Sequence, residues 1–187
     1  MQKLLLLAFL FLALTRFKCV VECEGPDVAL KISRTEMAHL DNRGAEPVAL
    51  APGANGFLNA YGFRLSTYVE VRNQADTVGV ECPYFILSPA ANHCRIFTLT
   101  GTGDHPPGTD VSALFRFADR RRSPLRYEAT ADAAPIVSGI WNFDLASNFD
   151  FLLVQPPATA GWQQFELRLS QNDTTTLSVT TDSIFLQ

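Results

Sequence analysis

Phe63-Arg64-Leu65-Ser66-Thr67-Tyr68-Val69-Glu70-Val71 is the stretch that decides the fold class. Phe63, Leu65, Thr67, Val69 and Val71 alternate with Arg64, Ser66, Tyr68 and Glu70. Successive side chains of a strand point to opposite faces, so this segment reads as a strand with one buried and one wet face. The same period recurs over residues 111–117, where Val111, Ala113, Phe115 and Phe117 share a parity. It recurs again over 164–170, where Phe165, Leu167 and Leu169 oppose Gln164, Glu166, Arg168 and Ser170. Shorter strand candidates are 28–33, 84–87, 95–100, 125–129, 136–144, 149–154, 177–181 and 184–186. Turn residues separate most of them: Pro52-Gly53, Asn55-Gly56, Ser88-Pro89, the Gly101 to Gly108 segment and Pro156-Pro157. Residues 36–40 are the one helix-like turn, and 41–59 read as a long surface loop. About ten strands at short spacing predict an all-β fold, an antiparallel two-sheet β-sandwich of jelly-roll type.

The composition agrees with one globular domain. The chain has 187 residues, 47% hydrophobic and 18% charged, with four cysteines. Disordered chains are poorer in apolar residues, and disulfide-dense mini-proteins are far richer in cysteine. Leu4 to Leu14 is an unbroken apolar run of eleven residues behind Lys3. That run is too short to span a bilayer and has the anatomy of a secretory signal peptide. Residues 1–23 are therefore expected to be a leader and 24–187 a single secreted domain. Cleavage after Thr15 would keep all four cysteines, whereas cleavage after Cys23 keeps two; a cut between Cys19 and Cys23 would strand one thiol in an oxidising compartment. No later stretch approaches eighteen apolar residues, so no membrane span is expected.

The leader holds three basic residues and one acidic one, which leaves twelve basic and eighteen acidic in the mature chain, a formal charge of −6. Such a field has no general attraction for nucleic acid or anionic membranes. Arg120-Arg121-Arg122, with Arg126 close behind, is the local exception. Guanidinium forks bind sulfate, phosphate and carboxylate, so this turn is a candidate anionic ligand site; a solvated loop paired with Asp119 and Glu128, or a processing site, are the other readings.

Cys82 and Cys94 flank a hairpin candidate centred on Ser88-Pro89. Opposed strand positions lie close enough for a disulfide, which would contribute about 3 kcal/mol; two buried thiols are the alternative. Asn172-Asp173-Thr174 matches the N-glycosylation pattern in a polar turn. The histidines His39, His93 and His105 show no metal-ligand spacing, and no Gly-x-Ser-x-Gly elbow is present. Neither a metal nor any other cofactor is expected. Asp144 and Asp150 flank Asn148 in a segment that reads as a polar hairpin turn more readily than as a Ca²⁺ loop. Trp141 shares the apolar parity of its segment and reads as core, while Trp162, at a strand entrance, is the better candidate for a partly exposed stacking surface.

Trp162-Gln163-Gln164-Phe165-Glu166-Leu167-Arg168-Leu169, a polar turn and Leu177-Ser178-Val179 together resemble the penultimate hairpin of concanavalin-like jelly rolls, among them laminin-G and galectin-type domains. The resemblance spans about eighteen residues and implies a two-sheet sandwich. The galectin sugar-binding signature is absent, because His93 is followed directly by Cys94 and Arg95, so no binding residue carries over. The functional expectation is a secreted, non-enzymatic module that recognises an extracellular glycan or protein, with Arg120, Arg121, Arg122, Arg126 and Trp162 as ligand-binding candidates. A hydrolase with a site around His39 and His105, and a structural extracellular protein, are the rival readings.

Overall fold

The alternating segment at 63–71 lies within an 11-residue strand, Tyr61–Val71. A computed structural model describes residues 27–72, 84–87, 91–120, 124–133, 147–171 and 175–187. The expected leader, Cys19, Cys23, Cys82, the 136–144 strand with Trp141, Asp144, Arg121, Arg122 and Asn172 lie outside them. The chain is all-β, built almost wholly of antiparallel sheet. The strands are β1 (Asp27–Asp41), β2 (Val48–Ala49), β3 (Tyr61–Val71), β4 (Tyr84–Leu87), β5 (His93–Thr98), β6 (Phe115–Asp119), β7 (Tyr127–Ala129), β8 (Ser147–Leu153), β9 (Gly161–Gln163), β10 (Phe165–Gln171), β11 (Thr175–Thr180) and β12 (Ile184–Leu186). Among the described residues no helix is long and apolar enough to cross a membrane.

A seven-stranded sheet runs β2-β1-β3-β8-β6-β7, with β4 adding in parallel to the first residues of β1. A three-stranded sheet runs β11-β10-β5, and β9 pairs with β12. The expected parities are obeyed in the two longest alternating segments. Phe63, Leu65 and Thr67 are buried on β3, and Phe165, Leu167 and Leu169 are buried on β10. The two sheets share one core, in which the Phe165 ring meets Phe63 at 6.3 Å, Phe115 at 5.2 Å and Tyr61 at 5.8 Å between centroids. Phe117, Phe149, Phe151 and Ile96 complete its centre.

Three local expectations are corrected. Residues 36–40 do not form a helical turn; they lie in β1, with Glu36 opposite Ser66, Ala38 opposite Arg64 and Leu40 opposite Gly62. Helix propensity is a weak preference, and the long ladder offered by β3 outweighs it. A register shift between Ile32 and Arg34 lets β1 continue with its apolar residues on the correct face. Residues 111–117 are not one strand, because Asp110 accepts hydrogen bonds from the Ser112 amide (3.0 Å) and hydroxyl (2.6 Å), turning the chain into a 3-10 turn before Phe115. Finally, 84–87 and 95–98 do not make a hairpin. The first pairs with β1 and the second with β10.

Gly62 shows how tightly the large sheet is built. A Cβ at this position would sit 2.6 Å from both Leu152 Cδ2 and the Phe151 carbonyl oxygen. The bare backbone lets the Leu152 side chain lie across it on the outer face. Gly62→Val is therefore expected to destabilise the fold by about 3 kcal/mol, read as a lowered urea midpoint in equilibrium unfolding.

Candidate functional site

The outer face of the large sheet carries two adjacent cross-strand rows. Ala38, Arg64, Asp150, Ala118 and Tyr127 form one, and Leu40, Gly62, Leu152, Arg116 and Ala129 form the next. In the first row Asp150 is fully buried and directly opposite Arg64. Arg64 donates to it twice, Nε to Oδ1 at 2.6 Å and Nη2 to Oδ2 at 3.0 Å. Arg120 Nη1 adds a third bond at 3.1 Å, and its Nη2 reaches Glu46 at 3.4 Å. A buried carboxylate is tolerated when it is paired and its lone pairs are filled, and three guanidinium donors do both.

The second row opens into a cleft of about 540 Å³ lined by Asn42, Asn59, Arg116, Tyr127, Leu152, Leu153, Val154 and Pro156. Each side chain arrives there for a local reason. Asn42 follows β1 and its backbone N–H donates to the Ala60 carbonyl at 2.7 Å, and Asn59 lies in the 3-10 turn Leu58–Ala60. Leu152 projects outward over Gly62, and the Val154 backbone N–H donates to the Leu114 carbonyl at 2.8 Å. Tyr127 is 46% exposed and presents its ring at the edge strand. Its phenol pKa is raised by partial burial and by the Asp150 and Glu46 carboxylates, with Arg120 acting against them, so the ion cluster and the cleft adjoin at this residue. The cleft thus combines an aliphatic floor, one aromatic ring, two carboxamides and one guanidinium.

Of the residues singled out by the arginine run, Arg120 is committed to Asp150 and Glu46, and Arg126 is exposed immediately before Tyr127 without lining the cleft. Trp162 is 62% exposed, as its position at a strand entrance suggested, with its ring edge-on to Phe185 at 5.6 Å. It lies on β9, paired with β12, and does not line the cleft. Asp150 belongs to the ion cluster rather than to a Ca²⁺ turn. Among the described residues no group of three His, Cys, Asp or Glu is arranged to hold a metal. Cys94 is a buried free thiol opposite Leu169, and the hairpin that a bond to Cys82 presupposed is not formed. Burial, with Asp110 adding to it, pushes this thiol up to about 12, leaving it protonated and unreactive at neutral pH.

Sequence reasoning missed Asn42, Asn59, Arg116, Tyr127 and Leu152. The available signal was in residues 149–154, where Leu152 and Val154 place apolar side chains on the parity of the charged Asp150. An apolar pair on the wet face of a strand marks a surface that something covers.

His105 and His39 make unrelated local contacts. His105 closes a turn through reciprocal backbone bonds with Thr102 at 2.8 and 2.9 Å. His39 sits at the end of β1 with Nδ1 3.0 Å from the hydroxyl of Tyr61, a fully buried phenol whose pKa burial raises. Burial lowers the pKa of His39, outweighing the Asp182 carboxylate and backbone, which act in the other direction.

Asp150→Ala removes the partner of two mostly covered arginine side chains and is expected to cost about 2–3 kcal/mol by urea unfolding, discounted because both arginines keep some access to solvent. For His39 the native state resists protonation, so the unfolded chain binds the extra proton first. Its contribution to stability is intact above the ordinary histidine value of about 6.5 and is lost as pH falls from there towards the lowered native value. His39→Gln, which keeps a polar partner for Tyr61, is expected to flatten the loss of unfolding free energy between pH 7.5 and 5.5 relative to the unaltered protein.

No protein-family profile matches the chain, and no curated protein does. A solved structure called BspA_C_WT is similar at 14% identity and a TM-score of 0.31, over 82% of this chain and 50% of that one. This chain therefore spans about half the length of the solved chain it matches, and a likeness at that level carries no argument about either protein's activity.

Proposed function

We propose that this chain is a secreted, non-enzymatic recognition module, a two-sheet sandwich of jelly-roll type, that binds an extracellular glycan in the cleft beside Tyr127. The observation that carries the reading is the lining itself. A half-exposed aromatic ring stands over an aliphatic floor, with the Asn42 and Asn59 carboxamides and the Arg116 guanidinium at its margins. A sugar ring offers an apolar face of C–H groups and a rim of hydroxyls, which an aromatic platform and amide groups satisfy together. The volume falls within the roughly 300–1,000 Å³ of small-molecule sites. Concavity favours a saccharide over the flat patch that a folded protein partner would cover. The leader-like start of the chain supports an extracellular setting.

The test is an oligosaccharide array followed by NMR titration of the purified domain with the best ligand. Binding should shift the resonances of Tyr127, Asn42 and Asn59, and Tyr127→Ala should weaken it about tenfold or more, the loss expected for a stacking platform. Failure of every oligosaccharide on the array to bind, or binding that Tyr127→Ala leaves unchanged, would overturn the assignment.

A further inference from the structure

We infer that the cleft selects acidic saccharides, and that Arg116 receives the ligand's carboxylate. This rests on the glycan reading and adds a ligand class to it. Four other guanidinium groups have acidic partners: Arg64 and Arg120 share Asp150, Arg34 meets Glu36 at 3.3 Å and Arg43 meets Asp41 at 2.7 Å. Arg116 is different. Its one hydrogen bond among the described residues is from Nη1 to the neighbouring Phe115 carbonyl at 3.3 Å. Its cross-strand neighbours are Leu152 and Ala129, so no carboxylate faces it along its own row.

An arginine has five N–H donors in a planar fork, and here most of them remain for a ligand. The fork matches a carboxylate bidentately, and such charge-assisted pairs exceed neutral hydrogen bonds in strength. Leu152, Leu153, Val154 and Pro156 line the same cleft, reducing the water available to screen the pair. Tyr127 and the two asparagines are placed to hold the rest of the sugar. The chain as a whole carries a formal charge of −4, which disfavours long polyanions and favours a ligand with a single carboxylate at the site. Uronate and sialate residues both present that group.

The experiment is calorimetric titration of the full mature chain with uronate-terminated and sialate-terminated oligosaccharides, each beside its methyl ester. The unaltered protein should bind at least one acid about ten- to a hundredfold more tightly than its ester. Whichever acid gives the larger ratio identifies the source of the carboxylate. Arg116→Gln should bring acid and ester to equal affinity while ester binding persists, and Arg116→Lys should restore part of the preference. Because Arg116 is exposed, both variants should keep the parent's unfolding midpoint. Equal binding of acid and ester by the unaltered protein, or a preference that survives in Arg116→Gln, overturns the inference and leaves glycan binding standing. Absence of any saccharide binding would remove both.

Discussion

The ring of Phe165 is the contact on which the arrangement of strands depends. It projects from the central strand of the three-stranded sheet and meets Tyr61, Phe63 and Phe115 of the larger one. Burying a phenylalanine contributes about 2–3 kcal/mol, and each well-placed aromatic pair adds about 0.5–1.5 kcal/mol. Neither sheet could hide its apolar face alone, since β3 and β10 carry buried apolar residues at alternate positions. Their mutual cover fixes which parity points inward. That in turn fixes which side chains are left outside, and so the composition of the outer surface follows from an interior contact.

On that outer surface β8 changes character along its length. Asn148 and Asp150 stand at one end, and Leu152, with Val154 just past the strand, at the other. Opposite the polar end, Ser66 donates to Asn148 at 2.7 Å and Arg64 closes on Asp150. Opposite the apolar end, Gly62 offers no side chain and Leu152 lies across its bare backbone, and Leu152 and Val154 line the cleft. A rigid, self-neutralised ion cluster therefore borders an open site with an unbalanced arginine. The cluster uses up Arg120, the first residue of the most conspicuous charge run, and leaves the less conspicuous Arg116 available for a ligand. The two arginines differ by only four positions; what separates them is that the Arg120 guanidinium reaches the Asp150 and Glu46 carboxylates.

Legibility in the sequence followed the range of the interaction concerned. Alternation at 63–67 and 165–169 identified buried side chains correctly, because a strand's two faces are defined by nearest neighbours alone. The antiparallel pairing of β10 and β11 was equally readable, with Leu169 opposite Leu177 and Leu167 opposite Val179. Where pairing is non-local, the reading failed. The helix-like Glu-Met-Ala-His-Leu run became strand because β3, some thirty residues on, supplied its partners. Segments 84–87 and 95–98 looked like two arms of one hairpin and instead joined different sheets. Tyr127 and Asn42 could not have been associated beforehand, since they meet only because β7 and the end of β1 reach the same cleft from different parts of one sheet.

The order of residues by itself determined the secondary-structure class and the inward parity of the long strands. Both depend on one polypeptide's local geometry and on the cost of wetting oily groups. Strand partnership, the burial of Asp150 beneath two arginines, the free state of Cys94 and the existence of the cleft were decided only in three dimensions. Each needs side chains far apart along the chain to arrive together, and such arrivals are chosen by the energy of the whole assembled core rather than by any single segment.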